Sequence, residues 1–162
     1  MPKKLFLLCP LIQGEMYLKE KFGNDCLFMT ALGSVFDLQN NAYTESIIHL
    51  LLQEDITEIF HVHDIDSPFL KSVVDKKDTY NSTPQQLLDT LFSENYYEIM
   101  QESNKIGSLA LIHMKHQANF ILQHPKLASI LNENKIALQG LLSQMSKRKS
   151  IQFDLQMAFQ KL

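Results

Sequence analysis

The residues able to do chemistry gather near three points of the chain. His61 and His63 close an apolar run, Glu58-Ile59-Phe60-His61-Val62, that reads as a β-strand. Alternate strand residues point to one side, so this pair could hold a metal ion at a strand end. The competing expectation is that His61 packs in the interior and His63 hydrogen-bonds locally. Asp64 and Asp66 follow at once. They are a carboxylate pair of the kind used in acid–base work, or capping and loop residues ahead of a helix opening at Pro68. Cys9 ends the first apolar run and is either a thiolate ligand or a buried strand-end thiol. His113 and His116, three apart on a long helical pattern, are read as a partly solvated helix face. The two cysteines, Cys9 and Cys26, form no CxxC pair, which excludes a zinc-ribbon or disulfide framework and suits a reducing compartment.

The elements that must position these residues alternate in type. Lys4 to Cys9 is a continuous apolar strand of the kind covered on both faces, and Gly14 to Phe22 is a short helix. Cys26-Leu27-Phe28-Met29-Thr30 is a second strand, closed by Gly33-Ser34. Thr44 to Glu54 is an amphipathic helix with Ile47, Ile48, Leu51 and Leu52 on one face. After the third strand, Ser67 caps a short helix from Pro68 to Val74. Asp75 to Ser82 is a polar surface loop. Thr83-Pro84-Gln85-Gln86 carries a capping-box signal with Thr83 at the cap, predicting a helix to about Glu94. Ile106 to Gln123 is a long helix ended by His124-Pro125, and a short helix runs to Asn132. Ile136 to Leu142 is a fourth strand, Ser146 to Ser150 a polar turn, and Ile151 to Phe153 a last strand. Leu155 to Leu162 is an amphipathic tail suited to a terminal helix. This order predicts an α/β fold: a parallel sheet of about four strands with flanking helices and a C-terminal antiparallel edge strand, in one domain over residues 1–162.

Composition narrows the partners. A net charge of −3 argues against nucleic acid, whose phosphates call for a basic surface. No stretch is apolar for long enough to cross a membrane. Two lysines precede the first apolar run, as in a signal peptide, but the run is only about five residues where a signal needs roughly seven or more. It therefore reads as a buried strand, and the expected location is the cytoplasm.

Several blocks, in order, resemble the β-class carbonic anhydrases. Asp25-Cys26-Leu27-Phe28-Met29-Thr30-Ala31-Leu32-Gly33 is similar to that family's Asp-Leu-Phe-Val-x-Arg-Asn-Ala-Gly segment. Glu58 to Val62 is similar to the strand leading to its Gly-His-x-Asp-Cys-Gly motif, Gln117 with His124-Pro125 to its Gln-(x)7-Pro region, and Leu138-Gln139-Gly140 to its Leu-x-Leu-x-Gly-Trp strand. The resemblance spans almost the whole chain. It implies a zinc-dependent fold in which Cys, His and Cys hold the ion and an Asp–Arg pair orients the zinc-bound hydroxide. It also implies a homodimer, although the family's helices ahead of the first strand have no counterpart in this sequence.

The catalytic positions depart from the pattern. The family's Cys-x-Asp-x-Arg corresponds to Cys9-Pro10-Leu11-Ile12-Gln13, so Leu11 replaces the Asp and Gln13 the Arg. Leucine accepts no hydrogen bond and glutamine carries no charge, so the dyad is lost. In the second motif an ungapped register sets Asp64 in the His position and Ser67 in the Cys position, and is the preferred one. A one-residue shift instead makes His63 the ligand and Asp66 the replacement for the Cys. Cys9, His63 and Asp64 are therefore the candidate metal ligands, with Asp66, Ser67 and Gly33 around the pocket. No catalytic residue is assigned. Zinc could bind such a set, but its absence is the expectation. Three functions follow: a carbonic-anhydrase-like pseudoenzyme binding an unidentified small molecule or acting as a regulatory module, a carbonate dehydratase with a rebuilt zinc ligand set, and a purely structural protein.

Overall fold

The computed structural model describes residues 2–156. In chain order the elements are β1 (Lys3–Leu8), α1 (Glu15–Phe22), β2 (Cys26–Thr30), α2 (Asn41–Gln53), β3 (Ile56–Asp64), α3 (Pro68–Val74), α4 (Thr83–Glu94), α5 (Tyr96–Gln101), α6 (Lys105–Gln123), α7 (Pro125–Glu133), β4 (Ala137–Gln144) and β5 (Lys149–Asp154). One sheet of five strands runs in the order β2-β1-β3-β4-β5. The first four are parallel and β5 is antiparallel to β4. The sequence therefore predicts this architecture correctly, down to the antiparallel edge. A short turn through Met145–Lys147, with Arg148 in the left-handed region (φ 54°), allows nothing but an antiparallel return. Among the described residues no helix is long and apolar enough to cross a membrane.

The apolar runs of β1 and β3 are explained by helices on both sheet faces. Phe6, Leu8, Phe60, Val62 and Leu141 pack with Leu18 of α1 on one side. There the rings of Phe6 and Phe60 stack at 5.0 Å, and Phe22 lies 5.3 Å from Phe6. Leu5, Leu7, Ile59 and Leu138 pack on the other side against α2, α6 and α7. A separate cluster joins α3, α4, α5 and the first half of α6 around Phe69, Leu88, Phe92, Ile99 and Leu109. Each strand thus divides its side chains between two cores, as a period of two requires.

The local differences from the sequence reading include an earlier start of α2, at Asn41 and not Thr44, an earlier start of β5, at Lys149, and three others. β3 is longer than Glu58–Val62 because its ladder with β4 continues through His63↔Leu142 and Asp64↔Ser143. α5 is a turn and a half that the sequence did not signal; it is held by Ile99, which is fully buried. The cap of α4 is Ser82, whose Oγ accepts from Gln85 N at 3.3 Å, and not Thr83. The Gln85 side chain turns inward. Its Nε2 donates to Lys77 O at 2.6 Å and its Oε1 accepts from Tyr80 N at 3.1 Å, so it fastens the 75–82 loop. The tail helix expected from Leu155 onward lies, beyond Gln156, outside the described residues.

The capping assignment predicts unequal alanine variants. Ser82→Ala should lower unfolding stability by about 1 kcal/mol in urea titration, whereas Thr83→Ala, one position inside the helix, should cost well under half of that. Equal losses would return the cap to Thr83.

Candidate functional site

The carboxyl ends of β1 and β3 are where an open α/β sheet presents its chemistry. Cys9 follows β1 directly and is 2 % exposed. Its Sγ accepts a hydrogen bond from Gly33 N at 3.2 Å. Gly33 sits at φ +67°, and a Cβ there would stand 2.6 Å from Cε1 of the Phe69 ring, so this contact calls for glycine on both counts. Beyond Cys9 the chain makes a short turn, Pro10–Ile12, that leaves Leu11 and Gln13 exposed. Leucine brings no hydrogen bond to that place and glutamine no charge.

Asp64 ends β3 and is 5 % exposed. Its Oδ2 accepts from Ser143 Oγ at 2.7 Å and from Met145 N at 2.8 Å, and its Oδ1 accepts from Asp66 N at 2.9 Å. Three donors, one on β4 and two in the segments that follow β4 and β3, converge on this one carboxylate, which ties the end of β3 to the end of β4. Asp66 is exposed and accepts from Ser146 Oγ at 2.7 Å. Ser67 Oγ accepts from Leu70 N at 3.3 Å as the cap of α3. The two aspartates and Ser67 are thus occupied in loop fixation and capping, the bland alternative the sequence left open.

His63 belongs to a different place. It projects from β3 on the same side as His61 and opposite to Asp64, and its Nε2 lies 2.7 Å from Nδ1 of His113 on α6. The structure therefore does not bring Cys9, His63 and Asp64 together. It brings together His61, His63 and His113, whose ring centroids are 5.2, 5.1 and 4.9 Å apart. Each ring offers one nitrogen, and these atoms all lie within 4.8 Å of one another. Among the described residues this is the one group of three or more His, Cys, Asp or Glu side chains so placed. All three rings are buried, at 2, 2 and 0 % exposure.

His113 was expected on a partly solvated face and is instead fully buried. The reason is visible along α6: Leu109, Ala110, His113, Met114, Gln117, Ala118 and Ile121 are all buried, at the three-and-four spacing of one helix stripe. His113 lies within that stripe and His116 off it, half-exposed against Phe120. The signal was in the sequence. Gln117, on the same stripe, accepts from Phe36 N at 2.9 Å and pins the 31–38 segment over the sheet.

Burial keeps these imidazoles neutral. It pushes His61 down to about 4, against a smaller raising effect of its hydrogen bond to Ser34. Burial first, and the neighbouring rings second, hold His63 and His113 well below the ordinary histidine range.

No protein-family model matches the sequence, and a search of curated proteins by sequence finds no match. Comparison with solved structures does find matches. A β-carbonic anhydrase of the fungal pathogen Aspergillus fumigatus superposes with a TM-score of 0.81 at 14 % identity, covering 95 % of this chain and 76 % of that one. A tetrameric β-carbonic anhydrase of Sordaria macrospora gives 0.77 at 10 % identity, over 94 % and 80 %. The Coccomyxa β-carbonic anhydrase in complex with acetazolamide gives 0.71 at 9 % identity, over 99 % and 83 %. The fold is that of the β-carbonic anhydrases. Within it, the residues at the place the resemblance assigns to zinc do not suit the ion. The Cys9 thiol faces a backbone N–H, the Asp64 carboxylate is taken up by three donors, and Ser67 offers a hydroxyl that stays protonated near neutral pH.

Three buried neutral histidines predict acid sensitivity in metal-free protein. Unfolded, each titrates near the ordinary 6.5, while folded it titrates lower, so the unfolded chain binds more protons over that interval. Their contribution to stability is fully present above about pH 6.5 and is lost as pH falls towards 4, by up to about 1.4 kcal/mol per pH unit for each ring. Urea midpoints measured in chelator should fall from pH 7 to pH 5, and His113→Gln should flatten the slope. A midpoint independent of pH over that range would refute the assignment.

Proposed function

We propose that this chain is a carbonic-anhydrase-fold protein that does not hydrate carbon dioxide and works as a binding or regulatory module, a pseudoenzyme of that fold. The observation that carries this reading is the state of the strand ends, where Leu11 and Gln13 stand exposed in the dyad positions and Cys9, Asp64 and Ser67 have internal partners. Hydration needs a metal-bound hydroxide at an open coordination position and a group that orients it. Neither requirement has a residue to meet it at that place.

Support for a binding role comes from a cleft of about 560 Å³ beside the same strand ends. Ile65, Ser143 and Gln144 line it together with Lys21, Arg148 and Lys149. Asp66, Ser67 and Gly33, the expected pocket residues, do not line this cleft. Arg148 pairs with Glu20, which leaves two lysines to set the local sign, so the fitting ligand is a small anion. Self-association belongs to this reading, as the homodimer that the family resemblance implies; the Sordaria neighbour is itself tetrameric.

Stopped-flow measurement of carbon dioxide hydration by the untagged full chain, with zinc supplied, tests the proposal. The expected rate is the uncatalysed one. A saturable rate abolished by Cys9→Ser would overturn it.

A further inference from the structure

The core of this protein contains a polar island. His61 and His63 sit two apart on β3, the central strand of the sheet, and face α6. His113 on α6 lies between the two apolar clusters of that side, following Leu109 and Ala110 of one and preceding Met114 and Ala118 of the other. Buried polar atoms are normally paired, because an unpaired one carries its full desolvation cost. Here a ring nitrogen of the group, His61 Nδ1, is buried without a partner. Three imidazoles in such a core, linked by a single hydrogen bond within the group, are not explained by packing.

Tautomer logic sharpens the observation. His61 Nε2 lies 2.8 Å from Ser34 O, and a carbonyl only accepts, so that nitrogen carries the proton and Nδ1 holds a free lone pair. A backbone carbonyl taking one ring N–H while the other nitrogen is left bare is the arrangement that orients metal-ligating histidines. The segment that supplies it is itself fixed, since Ser34 Oγ donates to Val62 O at 2.9 Å.

We propose that His61, His63 and His113 form a binding site for one late first-row divalent metal ion, zinc foremost, inside the core and apart from the family's strand-end position. Nitrogen-only donors select zinc, copper, nickel, cobalt or iron over magnesium and calcium, which want oxygen. Ligand nitrogens about 2.0–2.1 Å from a tetrahedral ion stand roughly 3.4 Å apart, so the group needs only small ring movements to close on one. The 2.7 Å contact between His63 and His113 opens by less than about 1 Å. The proton shared in that contact moves to the other nitrogen of the ring that carries it, and no bond to carbon changes. Three neutral ligands leave the ion its double charge, so the fourth position goes to a water or small anion. The inference stands independently of the proposed lack of hydration activity, which is read by a different assay.

The test uses the full chain without a histidine tag. Zinc is titrated against a chromophoric chelator, and bound metal is counted by elemental analysis. The expected result is about one zinc per chain, with at least a tenfold weaker affinity in His61→Gln and in His113→Gln. Cys9→Ser and the exposed-site control His49→Gln should bind as the parent does. Cobalt substituted into the parent chain should show ligand-field bands without sulfur-to-cobalt absorption, a readout that does not depend on any variant folding. Saturating zinc should raise the melting temperature by about 5 °C or more. Folded parent protein that takes up no zinc overturns the proposal, as does zinc whose binding is lost in Cys9→Ser and kept in His113→Gln.

Discussion

The alternation of side chains along β3 is the constraint on which the remaining structure depends. This strand lies at the centre of the sheet, paired on both sides, with nearly every residue buried. A strand so placed sends successive residues to opposite cores. Phe60, Val62 and Asp64 go to the α1 side and Ile59, His61 and His63 to the α6 side. Two adjacent residues, His63 and Asp64, therefore belong to separate sites however close they stand in sequence. That single geometric fact separates the ligands a linear reading would group together.

On the α1 side, the end of β3 has become a structural joint. Asp64 gathers a hydroxyl and two backbone N–H groups and so fixes the turn after β4 and its own loop. Charge-assisted bonds of this kind are among the stronger ones available to a loop, and they use the carboxylate's lone pairs. Cys9 and Gly33 make a similar joint between the ends of β1 and β2, with Phe69 packed where any Cβ on Gly33 would fall. A β-carbonic anhydrase fold is thus maintained by contacts among groups at the positions where the family resemblance expects chemistry. Architecture depends on the sheet and its helices, and activity on a few side chains at its edge, so the fold by itself does not fix the function.

On the α6 side the core keeps three polar rings among leucine, methionine and phenylalanine. Burial makes them neutral, and neutral imidazole is the form that binds metal. The arrangement is costly to an apolar core unless it has an occupant or a use, and the carbonyl of Ser34 shows that at least one ring is held in a chosen orientation.

Much of this was legible in the residues themselves. Apolar runs such as Leu5 to Leu8 announce doubly covered strands, Ser67-Pro68 announces a helix start, and the short polar stretch at Ser146 to Ser150 announces a reversal. These signals are local, so the sequence by itself determined the order of elements apart from α5, the parallel sheet and its antiparallel edge. The lack of charge at Leu11 and Gln13 is equally plain from residue type alone. His113 was legible in principle through its place in the buried stripe of α6. Its meeting with His61 and His63 was not, since it joins residues fifty positions apart. Likewise, only the tertiary structure decided that Asp64 clamps β4 and that His63 leaves Cys9 for another core. Periodicity tells which face of an element a side chain takes; what stands opposite that face depends on how the elements pack together.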